Sequence, residues 1–121
     1  MSQKILIIDD EPHLVEILAN RLHSAGYEVV SAGSGEIGLE KARTEKPDLI
    51  LLDVLMPDLD GYEVLRHLKG AVQTRSIPVM MLTVKKWSED IQKSITGGAA
   101  DYIVKPFHPA KLLERVKKVM K

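Results

Sequence analysis

A chain of 121 residues with 45% apolar and 28% charged side chains can bury one core, and neither disorder nor a second domain fits that profile. Seventeen Lys and Arg balance seventeen Asp and Glu, which excludes a global field that would recruit nucleic acid or an anionic membrane. The absence of Cys excludes disulfides, thiolate chemistry and Cys-ligated zinc.

The first apolar run, Lys4 to Ile8, is a β-branched strand that stops at Asp9-Asp10-Glu11, and it is too short for a signal peptide or a membrane span. We therefore expect one cytoplasmic domain over residues 1–121. Pro12 suits a first helical turn, and Leu14, Ile17, Leu18, Leu22 and Ala25 follow at helical spacing until Gly26. Tyr27 to Ala32 reads as a second strand. Ser34-Gly35-Glu36 then opens a helix with Ile37, Leu39 and Ala42 inward, closed before Pro47.

Leu49 to Leu52 is a third strand, apolar throughout and therefore covered on both faces, with Asp53 directly after it. Asp60-Gly61 begins a third helix carrying Tyr62, Val64, Leu65 and Leu68, ended by Gly70. Pro78 to Thr83 is a fourth strand, with Pro at its start where a missing donor is tolerated. A fourth helix is expected from about Lys86, with Trp87, Ile91 and Ile95 spaced by four. Ala100 to Val104 is a fifth strand, and Pro109 to Met120 a last helix with Leu112, Leu113, Val116 and Val119 inward. Lys111, Arg115, Lys117, Lys118 and Lys121 on that helix suit a C-terminus and a solvated face better than a nucleic-acid patch, since no aromatic residues are interleaved.

Fivefold alternation of strand and helix with short connections predicts an α/β fold: a parallel sheet sandwiched between two helical layers, flavodoxin-like (βα)5, in order 2-1-3-4-5. In such sheets ligands bind outside the carboxyl ends of the strands. The residues there are Asp9 and Asp10, Asp53, Thr83 and Lys105. Alone, Asp53 reads as a turn acid, Asp10 as a helix cap, Thr83 as a strand residue and Lys105 as a surface cation. Together they are harder to assign to chance. With strands one and three adjacent, Asp9, Asp10 and Asp53 converge, and each pair at about 4 Å costs roughly 4 kcal/mol at an effective dielectric near 20 unless a cation is present. A set of hard oxygen ligands suits Mg²⁺ better than zinc or copper.

This constellation resembles the response-regulator receiver domains of two-component signalling over the whole chain. The resemblance rests on Asp9-Asp10, on Asp53 followed by Met56-Pro57 and Asp60-Gly61, on Thr83 ending Met-Leu-Thr, and on Asp101-Tyr102 leading to Lys105-Pro106-Phe107. It implies that Asp53 accepts a phosphoryl group from a histidine kinase or phosphotransfer protein. Mg²⁺ would be held by Asp10, Asp53 and the Leu55 carbonyl, with Asp9 acting directly or through water. Thr83 and Tyr102 would form a switch pair, Lys105 would sense the phosphoryl group, and the Lys105–Pro106 bond would be cis. Phosphorylation would alter the surface of the fourth helix, fifth strand and last helix, read by a downstream protein or output domain, and that surface allows a phosphorylation-dependent dimer. The domain would catalyse only its own phosphorylation and dephosphorylation.

Three side chains depart from the family pattern. Val84 stands where the family generally keeps Ala, Gly or Ser, and Leu55 and Lys85 put no acid or amide where attacking water could be oriented. The implied phosphorylated form is long-lived. A Mg²⁺-dependent phosphohydrolase is the less favoured reading, because Leu55 occupies the place of its second acid and the connections are too short for a cap. A receiver-like interaction module working without phosphate usually lacks one of these site residues, and none is lacking here. His13, His23, His67 and His108 do not form a metal-ligand spacing.

Overall fold

The structure is a computed structural model that describes residues 2–84, 92 and 96–120. Its strands are β1 (Lys4–Ile8), β2 (Glu28–Ala32), β3 (Leu49–Asp53), β4 (Val79–Thr83) and β5 (Asp101–Val104). Its helices are α1 (Pro12–Ser24), α2 (Gly35–Glu45), α3 (Gly61–Gly70) and a C-terminal helix, Pro109–Val119. The strands form one all-parallel sheet in the order β2-β1-β3-β4-β5, as expected. Trp87, Ile91 and Ile95, which carry the expected fourth helix, lie outside the described residues.

Strand alternation divides the core into two layers. Leu6, Ile8, Ile50, Leu52, Val79 and Met81 face α2 and α3, meeting Ala42, Val64, Leu65 and Leu68. Ile5, Ile7, Leu49, Leu51, Met80 and Leu82 face the other way, onto Leu18 and Leu22 of α1 and Leu112 and Val116 of the C-terminal helix. Because both faces are covered, the central strands are buried along their whole length. Each fully buried Leu or Ile contributes roughly 1.5–3 kcal/mol.

Two helices turn differently from their apolar spacing. Ile37, expected inward, is 48% exposed, and Ile17 is 52% exposed. In α2 the buried positions are Gly35, Gly38 and Ala42. A Cβ at Gly38 would lie 2.6 Å from Ile8, so the helix sits on the sheet at glycine distance. Ile37, about 100° round the helix from Gly38, is thereby turned away from the sheet. In α1 the stripe of Leu14, Leu18 and Leu22 supplies the contact, and Ala25 is the exposed residue that caps the helix end.

Gly61 fixes how the chain leaves the sheet after β3. Its N–H donates to the Val54 carbonyl at 2.7 Å, and a Cβ there would lie 2.5 Å from the Asp53 carbonyl oxygen and 2.6 Å from Val54 Cα. Backbone cannot yield as a side-chain tip can. Gly61→Ala should lower unfolding stability by roughly 2–3 kcal/mol, read from urea midpoints. Gly70→Ala, where a Cβ meets nothing within 4 Å, should leave the midpoint unchanged or raise it.

Candidate functional site

Strand register builds the site. Ile8 pairs with Leu52, so Asp9 and Asp53, the next residues along the two strand directions, emerge side by side. Asp53 pairs with Leu82 and Thr83 with Val104, which brings Thr83 and then Lys105 onto the same rim. The Lys105 N–H donates to the Thr83 carbonyl at 2.6 Å, extending the β4–β5 ladder by one residue and aiming the lysine back across the strand ends.

Lys105 Nζ donates to Asp9 Oδ2 at 3.1 Å, Glu11 Oε1 at 3.2 Å and Asp53 Oδ1 at 3.3 Å. Asp9 and Asp53 are buried and Asp10 is exposed, yet the three present carboxylate oxygens within 4.8 Å of one another. Asp10 makes no helix cap. The N-cap of α1 is Glu11, which has no side-chain capping bond, while Asp9 Oδ1 accepts from the Glu11 N–H at 3.0 Å. Among the described residues, no other cluster of His, Asp and Glu has metal-ligand spacing.

Burial, followed by the charge of Asp9, pushes the Asp53 carboxyl up to about 6, against the opposing pull of Lys105 and the Leu55 N–H. For Lys105 burial acts to lower the pKa, but Asp9 and Asp53, with hydrogen bonds to Asp9 and Glu11, outweigh it and the net shift is upward. Three carboxylates thus meet one ammonium, with Asp10 close to two of them. The chemistry of this donor set, all oxygen and carrying surplus negative charge, fits a hard divalent cation held by Asp9, Asp10 and Asp53.

The loop after β3 is pinned at both ends. The Val54 N–H donates to the Leu82 carbonyl at 3.0 Å, and Asp60 caps α3 by accepting from the Glu63 N–H at 2.9 Å. Between them, Asp58 Oδ1 and Oδ2 accept from the Gly35 and Glu36 N–H groups at 3.0 Å each. These N–H groups at the α2 N-terminus, Gly35 first and then Glu36, hold the Asp58 carboxyl down to about 2.

All five rim residues expected from sequence meet at one edge. Tyr102 is half-buried on β5 and packs against the core facing α2 and α3, with its carbonyl accepting from Arg115 at 3.2 Å. Leu55 is 52% exposed in the pinned loop, and Lys85 lies outside the described residues. The Lys105–Pro106 bond is cis. None of the four histidines joins the cluster, and His108 serves as a cap, its Nδ1 accepting from the Ala110 N–H at 3.2 Å. Sequence reasoning missed two participants. Glu11 read only as the third of three acids, and Asp58 only as part of a turn, because its partners lie more than twenty residues away.

Asp53 carries a consequence for stability. A carboxyl raised from 3.8 to about 6 stabilises the fold below pH 4, and that contribution is lost as pH rises through 6. In chelator, Asp53→Asn should therefore gain on wild type by roughly 2 kcal/mol between pH 4 and pH 7, read from denaturant midpoints at each pH. A difference independent of pH would contradict the burial of an ionised Asp53.

Residues 5–117 match the family model described as the response regulator receiver domain. The chain is 45% identical over its full length to the alkaline phosphatase synthesis transcriptional regulatory protein PhoP of Bacillus subtilis, covering 50% of that protein. It is 38% identical to the phosphate regulon transcriptional regulatory protein PhoB of Escherichia coli, covering 53%. It therefore spans about half the length of these curated relatives. The chemotaxis protein CheY4 of Vibrio cholerae superposes with a TM-score of 0.93 at 34% identity, over 98% of this chain and 99% of that one. The receiver domain of sensor histidine kinase PA1611 from Pseudomonas aeruginosa, solved with a magnesium ion coordinated in its active-site cleft, superposes with a TM-score of 0.89 at 29% identity, over 99% and 98% of the two chains. The sheet order, the acids at its carboxyl edge and these matches lead to one conclusion: the chain belongs to the response-regulator receiver domains of two-component systems.

Proposed function

We propose that Asp53 is the residue phosphorylated in this receiver domain, with a histidine kinase or phosphotransfer protein as donor. The observation that carries the reading is the three-way contact of Lys105 with Asp9, Glu11 and Asp53 beside the surplus acids. A structural ion pair needs one partner, whereas a lysine facing several carboxylates on a half-open rim suits a site that receives an anion with its own cation.

Asp9, Asp10 and Asp53, with the Leu55 carbonyl, would hold Mg²⁺, as the oxygen-only donor set and the magnesium-bearing Pseudomonas neighbour support. When bound, Mg²⁺ supplies positive charge to the transferring phosphoryl oxygens. An Asp53 carboxylate oxygen attacks the phosphorus of the donor phosphohistidine. The new O–P bond forms as the N–P bond breaks, the electron pair stays with the departing imidazole, and the product is an acyl phosphate. Lys105 donates to a phosphoryl oxygen, and the Thr83 hydroxyl donates to another. The domain catalyses no reaction besides its own phosphorylation and dephosphorylation.

The added charge beside Thr83 and Lys105 would draw Thr83 toward the phosphoryl group and let Tyr102 rotate inward. That biases the face carrying β5 and the C-terminal helix between two states, to be read by a downstream protein, an output domain or a second copy of the chain. No helix among the described residues is long and apolar enough to cross a membrane, and a histidine kinase or phosphotransfer protein as donor supports a cytoplasmic location.

Intact mass after acetyl phosphate and Mg²⁺ should show one phosphate adduct on wild type and none on Asp53→Asn. An unmodified wild type would favour an interaction module working without phosphate. Val84, 50% exposed, lines a cleft of about 370 Å³ together with Lys105, Glu11, Leu14, Pro106 and Phe107. Its branched side chain stands beside the phosphoryl site, so Val84→Ala should lose the adduct several-fold faster than wild type; an equal or slower loss would remove Val84 as the cause of a long lifetime.

A further inference from the structure

Lys105 has three N–H donors, and three carboxylates take them. A lysine so saturated has no donor left for an incoming phosphoryl oxygen. One contact must therefore be surrendered when the donor arrives, and the three partners differ in what surrendering them costs. The Asp9 side chain is 0% exposed and Asp53 only 6% exposed, so either one, once released from Lys105, gains no access to water and relies on the bound cation alone. The Glu11 side chain is 62% exposed, and a released Glu11 passes directly into water.

We propose that Glu11 is a positioning residue that holds Lys105 in the resting site and is the partner exchanged for the phosphoryl oxygen. This rests on Asp53 being the phosphorylated residue. Several features of the site agree with an exchange. Glu11 and Lys105 both line the cleft that also bears Leu14, Val84, Pro106 and Phe107, so their bridge borders an opening and is not enclosed in packed core. The Glu11 backbone is fixed where the bridge can form, because its N–H donates to Asp9 Oδ1 and its carbonyl accepts from the Val15 N–H at 3.1 Å. Only the side chain has to swing. Its departure also removes one negative charge from the path of an anionic donor. The resting bridge thus opposes phosphorylation by any donor, and its strength sets how much of the donor's binding is spent on opening it.

The test uses the whole chain with Glu11→Gln and Glu11→Asp. Aspartate keeps the charge but is one methylene shorter, so it separates loss of the bridge from loss of charge. With acetyl phosphate as donor and Mg²⁺ present, both variants should need roughly three- to tenfold less donor for half-maximal rate, with the maximal rate changed less than about twofold. In chelator and without phosphate, acylation of Lys105 by an amine-reactive ester, followed by peptide mass, should be several-fold faster in both variants than in wild type. Glu11→Asp matching wild type in both measurements would overturn the exchange, as would slower phosphorylation in Glu11→Gln. A wild type that takes no phosphate would defeat the proposed function and the exchange with it, whereas phosphorylation unaffected by either variant would defeat the exchange alone.

Discussion

Like charges crowded at the end of a buried sheet are the constraint on which this molecule depends. Asp9 and Asp53 lie side by side with little access to water, and the Lys105 ammonium bridges them. Without that cation the two carboxylates would repel across a medium less polarisable than water, at a cost of several kcal/mol. Burial, followed by the charge of Asp9, still holds the Asp53 carboxyl above its ordinary value despite the pull of Lys105. The rim is therefore left asking for positive charge. That demand makes the site receptive to a divalent cation and to a reaction in which Asp53 gives up its charge by forming a bond.

The rest of the fold makes this arrangement affordable and fixed in place. Both faces of the sheet are covered, so β1, β3 and β4 are apolar up to the residue before each polar group. Apart from Lys4 at the start of β1, the polar groups of these strands appear together at their carboxyl ends. The loop after Asp53 is closed by Gly61 against the strand backbone and by Asp58 against the first amides of α2. A segment that would otherwise move freely beside the site is thereby tied to two elements on the same side of the sheet.

Much of this was readable before any coordinates. Continuous apolar runs ending in Asp, Asp and Thr identify buried parallel strands, and with the short Tyr102–Val104 stretch before Lys105 they name the rim, because parallel topology puts every carboxyl end on one edge. Glu11 and Asp58 were not readable in the same way. Each acts through a partner brought near by folding, Lys105 in one case and the α2 N-terminus in the other, and local sequence carries no trace of such pairings. Ile37 failed for a different reason. Apolar spacing reports which residues could face a core, whereas glycine and alanine at 35, 38 and 42 bring α2 so close to the sheet that small residues take the inner face.

The parallel register gives the site one further property. Ile8 opposite Leu52, Asp53 opposite Leu82 and Thr83 opposite Val104 are neighbours by hydrogen bonding, so the same ladder that makes the sheet also aligns the reactive groups. A slip of one residue in any strand would carry its polar terminus about 3.3 Å along the edge and turn its core side chains to the wrong face. Such a state would lose its hydrophobic layers along with its chemistry. Correct alignment is therefore inherited from folding itself: damage to the distant core lowers the number of competent molecules and leaves the competence of each survivor intact.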